Sequence, residues 1–195
     1  MKLLVATTNQ GKFAEIYKIL AGLPIDISSL EEHPSIKVAE EHGATFAENA
    51  RSKATYYSHR TGQFTVAEDS GLEIDALDGA PGVLSARFNG SSYQEKFDTI
   101  NRMLDERGAK DSRARFVCAL AVADNRQVVF ETTGIIAGQL AREPKGNGGF
   151  GYDPIFFYPP FERTLAELSA EEKASVSHRG QAFQAFRQYL DSRLP

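Results

Sequence analysis

The chain has 195 residues, 42% of them hydrophobic and 25% charged, enough to bury one real core and short for two. Its formal net charge of -4 argues against a broad nucleic-acid-binding face, which needs many clustered Lys and Arg, but not against a site for one small polyphosphate. Cys118 is the only cysteine, which excludes an intrachain disulfide and a Cys-rich zinc site and fits a reducing cytoplasm.

In chain order, Lys2 to Ala6 is a short apolar run that reads as a buried strand, breaking into the polar stretch TTNQGK. Phe13, Ile16, Tyr17 and Leu20 then recur at helical spacing, with Gly22 placed to end the helix. Thr45 and Glu48 stand in capping-box spacing, so a helix is expected from about Phe46 to His59, with Asn49 and Lys53 one turn apart on one face. FTVAE reads as a strand ending at an acidic loop, EDSG. Gln94 to Arg107 forms a third helix with Phe97, Ile100 and Leu104 inward, and Arg115 to Ala123 with Val128 to Ile136 reads as a hairpin turned by Asp124 and Asn125.

GNGGFG, from Gly146 to Gly151, holds four glycines in six residues and must be a loop. Ser169 and Glu172 form a second capping box, and Ser177 is placed to cap a final helix whose Phe183, Phe186 and Leu190 face the core. No repeat or low-complexity linker interrupts the chain. The expected fold is a single α/β domain over 1–195, a mixed, twisted sheet flanked by helices, with polar loops at strand ends where ligands bind. The N-terminus lacks the apolar run and cleavage site of a secretory signal, and 18 consecutive apolar residues occur nowhere, so a membrane partner is not expected.

Several constellations could carry chemistry. In TTNQGK the hydroxyls of Thr7 and Thr8, the amide of Asn9, the exposed backbone at Gly11 and the cation of Lys12 meet at a strand-to-helix junction, which suits a phosphate group; a capped turn with a solvated lysine is the alternative. It is not a Walker A loop, because GxxxxGK[ST] is absent. Glu40, Glu41, Glu68 and Asp69, with Glu73 and Asp75 further on, are the acidic residues from which Mg²⁺ could draw one or two carboxylates. For Glu40 and Glu41 simple solvation stays open. Asp69 could also take a proton from an attacking water, or merely bond its own backbone in a turn.

The glycine-rich loop combines close-approach backbone with Phe150, Tyr152 and Asp153, and an aromatic on such a loop can stack on a purine. Lys173, His178 and Arg179 follow near the C-terminus, and His178 with Arg179 offer donors suited to a carbonyl oxygen at the purine 6-position. His33, His42 and His59 lie in polar surroundings, so no histidine metal site is expected, and Cys118 in an apolar strand reads as a small core residue.

Taken in order, TTNQGK, EE, TFAENARSKA, AEDSGL, GAPGVLSARF, GNGGFGYDPIF and EEKASVSHRG resemble the inosine/xanthosine triphosphate pyrophosphatase family from Lys2 to about Gln181. The resemblance implies Mg²⁺-dependent hydrolysis of ITP, dITP and XTP between the α and β phosphates, a two-lobed α/β fold with the active site in a central cleft, and a homodimer. It implies that Thr7, Thr8, Asn9, Gln10, Gly11, Lys12 and Lys53 grip the triphosphate. Asp69, with Glu40 or its neighbour Glu41, would serve metal and water, and Asp69 would be the catalytic residue. Ser70 would line the site, Phe150, Gly151, Tyr152, Asp153 and Lys173 would hold base and sugar, and His178 with Arg179 would read the 6-oxo group. Glu68 stands where the family often has Asp. Two other readings stay open: a pyrophosphatase for modified pyrimidine nucleotides, and a nucleotide-binding regulator that does not turn over.

Overall fold

The computed structural model describes residues 1–109 and 111–193. Its strands are β1 (Lys2–Val5), β2 (Asp26–Ser29), β3 (Phe64–Ile74), β4 (Arg113–Asp124), β5 (Gln127–Leu140), β6 (Phe156–Tyr158) and β7 (Arg163–Thr164). Its helices are α1 (Gln10–Leu20), α2 (Phe46–Thr61), α3 (Tyr93–Glu106), α4 (Ala170–Val176) and α5 (His178–Asp191). Among the described residues the strands form one seven-stranded sheet in the order β2-β1-β3-β4-β5-β6-β7. The sheet is mixed, because β1 pairs parallel with β2 and β3 while β6 pairs antiparallel with β5 and β7. The chain divides into two compact units.

The first unit comprises Met1–Asp69, Cys118–Gly134 and His178–Pro195. Parallel neighbours need a crossover, and α1 and α2 supply it between β1, β2 and β3. Asn9 caps α1 by accepting the Lys12 N–H at 3.0 Å. At the other end, Arg187 of α5 donates to the carbonyls of Ile19 and Ala21 at 2.7 and 2.8 Å, satisfying acceptors that the last turn leaves open. Leu3, Val5, Ile16, Leu20, Val66, Leu120, Phe183 and Phe186 belong to its core. Gly134 of β5 fixes where α5 begins: a Cβ there would stand 2.0 Å from the His178 carbonyl oxygen, so only glycine allows this approach.

The second unit comprises Ser70–Val117 and Ile135–Ser177. Its core includes Leu72, Ile74, Phe97, Ile100, Leu104, Phe116, Tyr152, Phe156 and Leu165. Ser92 and Glu95 form a reciprocal capping box that starts α3 one residue ahead of the sequence expectation. The expected capping box at Ser169 and Glu172 is present on α4. At α2 only half forms: Thr45 accepts from Glu48 N–H, while the Glu48 carboxylate turns to the Ala44 N–H at 2.7 Å.

Other expectations need correcting. EDSG is not a loop, because β3 runs unbroken from Phe64 to Ile74 and carries Glu68, Asp69, Ser70 and Gly71 in its interior. These residue types disfavour strands, yet charge pairing and burial override that local preference. The short strands β2, β6 and β7 lack enough alternation to be read from sequence, and the hairpin strands extend beyond their expected ends. Asn125, with φ 56°, makes the hairpin turn as expected, but its companion is Arg126, because Asp124 is the last residue of β4. Of the residues at helical spacing on α1, Ile16 and Leu20 are buried and Tyr17 lies on the exposed side.

Truncating Phe186, fully buried in the first unit, should cost about 3–5 kcal/mol through lost transfer energy and the cavity left behind. Urea unfolding of Phe186→Ala checks this; a midpoint equal to wild type would show that the site collapses or that α5 is not fixed there.

Candidate functional site

In the first unit the chemistry collects on one strand. Glu68 and Asp69, side by side in β3, are only 3% and 7% exposed. A carboxylate that deep needs partners or it neutralises. Lys12 Nζ of α1 lies 2.7 Å from Glu68 Oε1, and Arg179 Nη2 of α5 is 3.7 Å from the same oxygen. The Cys118 thiol donates to Glu68 Oε2 at 3.5 Å. Burial pushes the Glu68 carboxyl up, but Lys12, Arg179 and Lys53 outweigh it and hold the group well below the ordinary carboxylate range. The thiol moves the other way, pushed far up by burial and the Glu68 charge, which makes Cys118 an inert core donor rather than a nucleophile.

Asp69 has a different environment. Asn49 Nδ2 of α2 donates to its Oδ2 at 2.8 Å, and Lys53 Nζ lies 3.8 Å from its Oδ1. Here burial prevails over Lys53 and Asn49, and the neighbouring charges of Glu41 and Glu68 add to it, so the carboxyl sits above its usual range. Lys53 itself is pulled down by burial but raised further by Asp69, Glu68 and Glu41, so it stays charged.

The loop before α2 separates the two candidate glutamates. Glu41 Oε1 meets Lys53 Nζ at 2.5 Å, which brings its carboxylate to the cation that also faces Asp69. Glu40 instead turns to His42 at 2.7 Å with its side chain 80% exposed. The structure therefore brings Glu41, and not Glu40, to the lysine that faces Asp69.

Thr7, Thr8 and Gln10 line a cavity of about 160 Å³ with Phe13, Ser29, Leu30 and Glu31. Thr7 Oγ1 accepts the Asn9 N–H at 3.2 Å, and Gln10 Nε2 donates to Glu31 at 2.5 Å. Gly11 lies in the first turn of α1, whose N–H groups supply the positive end of a helix. His178 and Arg179 are both buried at the start of α5, and Arg179 Nη1 meets Glu15 Oε2 at 2.7 Å. Glu15 was not singled out from sequence, although its place three residues after Lys12 on α1 was a usable signal. Asn49 was noted there only as a helical neighbour of Lys53.

In the second unit Asp153 and Lys173 form a buried ion pair of 2.6 Å. Asp153 Oδ2 also accepts the Phe150 N–H at 2.8 Å, and Lys173 Nζ stands 4.8 Å from the Phe150 ring centre. Tyr152 is buried, donates to the Ser85 carbonyl at 2.8 Å and packs edge-on against Tyr93. Phe150 is thus the more accessible ring of the loop, and Tyr152 anchors it. Gly151, with φ 72°, joins them. Ser70 follows Asp69 in β3. Glu73 pairs with Arg115 at 2.5 Å, and Asp75 is the exposed first residue of a short turn that ends on the buried Leu77.

The depressed Glu68 carboxyl makes unfolding take up a proton. Its contribution is therefore complete above its unfolded value of about 4.5 and fades as pH falls toward the folded one. Glu68→Gln should lose about 3–5 kcal/mol at pH 7 by removing the buried charge that Lys12 and Arg179 share, although Arg179 keeps its Glu15 pair, and should flatten the acid limb of stability. Urea unfolding at several pH values checks both; an unchanged profile would remove Glu68 as the organising charge.

A family model described as the Ham1 family matches residues 3–189. A dITP/XTP pyrophosphatase of an Exiguobacterium species is 46% identical, covering 93% of each chain, and one of Desulforamulus reducens is 44% identical over 98% of this chain and 96% of its own. A solved Ham1 protein from Coxiella burnetii superposes with a TM-score of 0.91 at 38% identity, covering 98% of this chain and 99% of that one. The chain belongs to the Ham1 family.

Proposed function

We propose that this chain hydrolyses deaminated, 6-oxo purine nucleoside triphosphates, namely dITP, ITP and XTP, to the monophosphate and pyrophosphate, with Mg²⁺ as cofactor. The observation that carries this reading is the buried pair Glu68 and Asp69, set among Lys12, Lys53 and Arg179. Relatives named dITP/XTP pyrophosphatase, alike over nearly the whole chain, supply the substrate class.

The donor set fits a hard divalent ion. Glu41 and Asp69 both face Lys53, and the ion-paired set of Glu15, Glu41, Glu68 and Asp69 carries one more formal charge than Lys12, Lys53 and Arg179 supply. A triphosphate meeting that negative excess needs a counter-ion. Mg²⁺ takes one or two carboxylates and fills the rest of its shell with phosphate oxygens and water. Glu41 and Asp69 would hold it. When bound, Mg²⁺ would neutralise phosphate charge and acidify water.

The chain's own residues do the rest. Lys12, Lys53 and the N–H groups opening α1 bind phosphate oxygens. Asp69, raised by burial, accepts the proton of the attacking water as the α–β anhydride bond breaks. His178 and Arg179 donate toward the 6-oxygen, and Phe150, Gly151, Tyr152, Asp153 and Lys173 hold base and sugar. No helix among the described residues is long and apolar enough to cross a membrane. Cytoplasmic location and a homodimer complete the proposal, the latter read by light scattering.

A panel of nucleotides with Mg²⁺ should show dITP, ITP and XTP far ahead of dGTP, dATP and modified pyrimidine triphosphates, with pyrophosphate as product and no turnover after chelation. Orthophosphate released stepwise, or a preference for ATP, overturns the assignment. Asp69→Asn should lower kcat by on the order of 10³-fold while nucleotide binding persists. An active variant would strip Asp69 of its role as base.

A further inference from the structure

Two side chains of α2 join the loop carrying Glu41 to the strand carrying Asp69: Lys53 by charge and Asn49 by directed hydrogen bonds. Asn49, 1% exposed on α2, accepts the Gly43 N–H on Oδ1 at 2.8 Å and donates from Nδ2 to Asp69 Oδ2 at 2.8 Å. An amide has its acceptor and donor at opposite ends of one rigid plane, so the Gly43 bond fixes which end faces Asp69. The carboxylate is thereby tied on Oδ2, with Oδ1 turned to Lys53 at 3.8 Å. Two residues before Gly43, Glu41 meets the same ammonium at 2.5 Å.

The fit leaves no slack. A Cβ on Gly43 would stand 2.7 Å from Asn49 Oδ1 and 2.8 Å from Glu48 Cβ, so a side chain there would push the loop off the amide. Gly43 and Asn49 form one device, although Gly43 has no side chain with which to bind anything.

We propose that Asn49 is a positioning residue that clamps Asp69 and the Glu41 loop in mutual register, so that two carboxylates from separate elements present one divalent-cation site. The clamp rests on the functional reading above for the identity of those two carboxylates. Groups that orient metal ligands typically alter metal affinity about 10–100-fold when removed.

The test compares wild type with Asn49→Ala, Gly43→Ala and the double variant. Mn²⁺ affinity is read by electron paramagnetic resonance, with and without the α,β-methylene analogue of dITP, and kcat and KM for dITP are measured at several Mg²⁺ concentrations. Each single variant should bind Mn²⁺ about 10–100-fold more weakly and need correspondingly more Mg²⁺ for half-maximal rate, while KM at saturating Mg²⁺ changes little. Because both act through one device, the double variant should be no worse than the poorer single one.

Wild-type Mn²⁺ affinity in either single variant overturns the clamp, as does additivity of the two effects or absence of Mn²⁺ binding by wild type. Circular dichroism checks folding, and if Asn49→Ala does not fold, Gly43→Ala alone decides. A wild type that binds Mn²⁺ without cleaving dITP would sink the proposed activity and leave the clamp standing.

Discussion

The first unit is organised by one carboxylate in the middle of a strand. Glu68 lies in β3, and its cations come from different helices: Lys12 from α1 and Arg179 from α5 by contact, and Lys53 from α2 through its field. Taking a carboxylate and its partners out of water is costly, and the geometry must offset that cost. It does so only if all three helices sit where they do. The charge thus acts less as a source of net stability than as a specification of arrangement, since a shift of α1 or α5 would leave a buried ion unmatched.

Asp69 shows how one strand makes two unlike acids from adjacent residues. Successive strand side chains point to opposite faces, which fits Glu68 meeting α1 and α5 while Asp69 meets Asn49 and Lys53 of α2. Cations dominate around Glu68 and press its carboxyl down, whereas burial and neighbouring carboxylates press that of Asp69 up. Neighbouring groups driven apart in this way are the arrangement from which acid and base roles are drawn. Glu68 remains a fixed charge, and Asp69 is the one suited to receive a proton.

Much of this was legible before any coordinates. Regular helical spacing gave α1 and α3, and capping pairs gave the starts of α2 and α4, because these signals act over three or four residues. The failures share a cause. EDSG looks like a turn to any local rule, and only distant partners such as Arg179, 111 positions along from Glu68, make it a strand interior. Likewise nothing in the dipeptide Glu40-Glu41 says which carboxylate faces Lys53. That depends on how the loop leaves Gly43, fixed by an amide six residues on. The two-residue strand β7 is defined wholly by its pairing with β6, for which the sequence carries no pattern.

The glycine-rich loop of the second unit carries a related lesson, since its composition suggests looseness and its structure shows the reverse. A Cβ on Gly149, whose φ is 67°, would stand 2.1 Å from Asp153 Oδ2, the atom that binds both Lys173 and the Phe150 N–H. Gly146 is confined in the same way, with a Cβ 2.5 Å from the Ala166 carbonyl. Glycine is used here for close approach, so that a buried ion pair can sit against main chain and hold the Phe150 ring near the Lys173 ammonium. A ring held in place before a ligand arrives loses little entropy on binding, and a stacking contact made by such a ring keeps more of its worth than the same contact made by a mobile one.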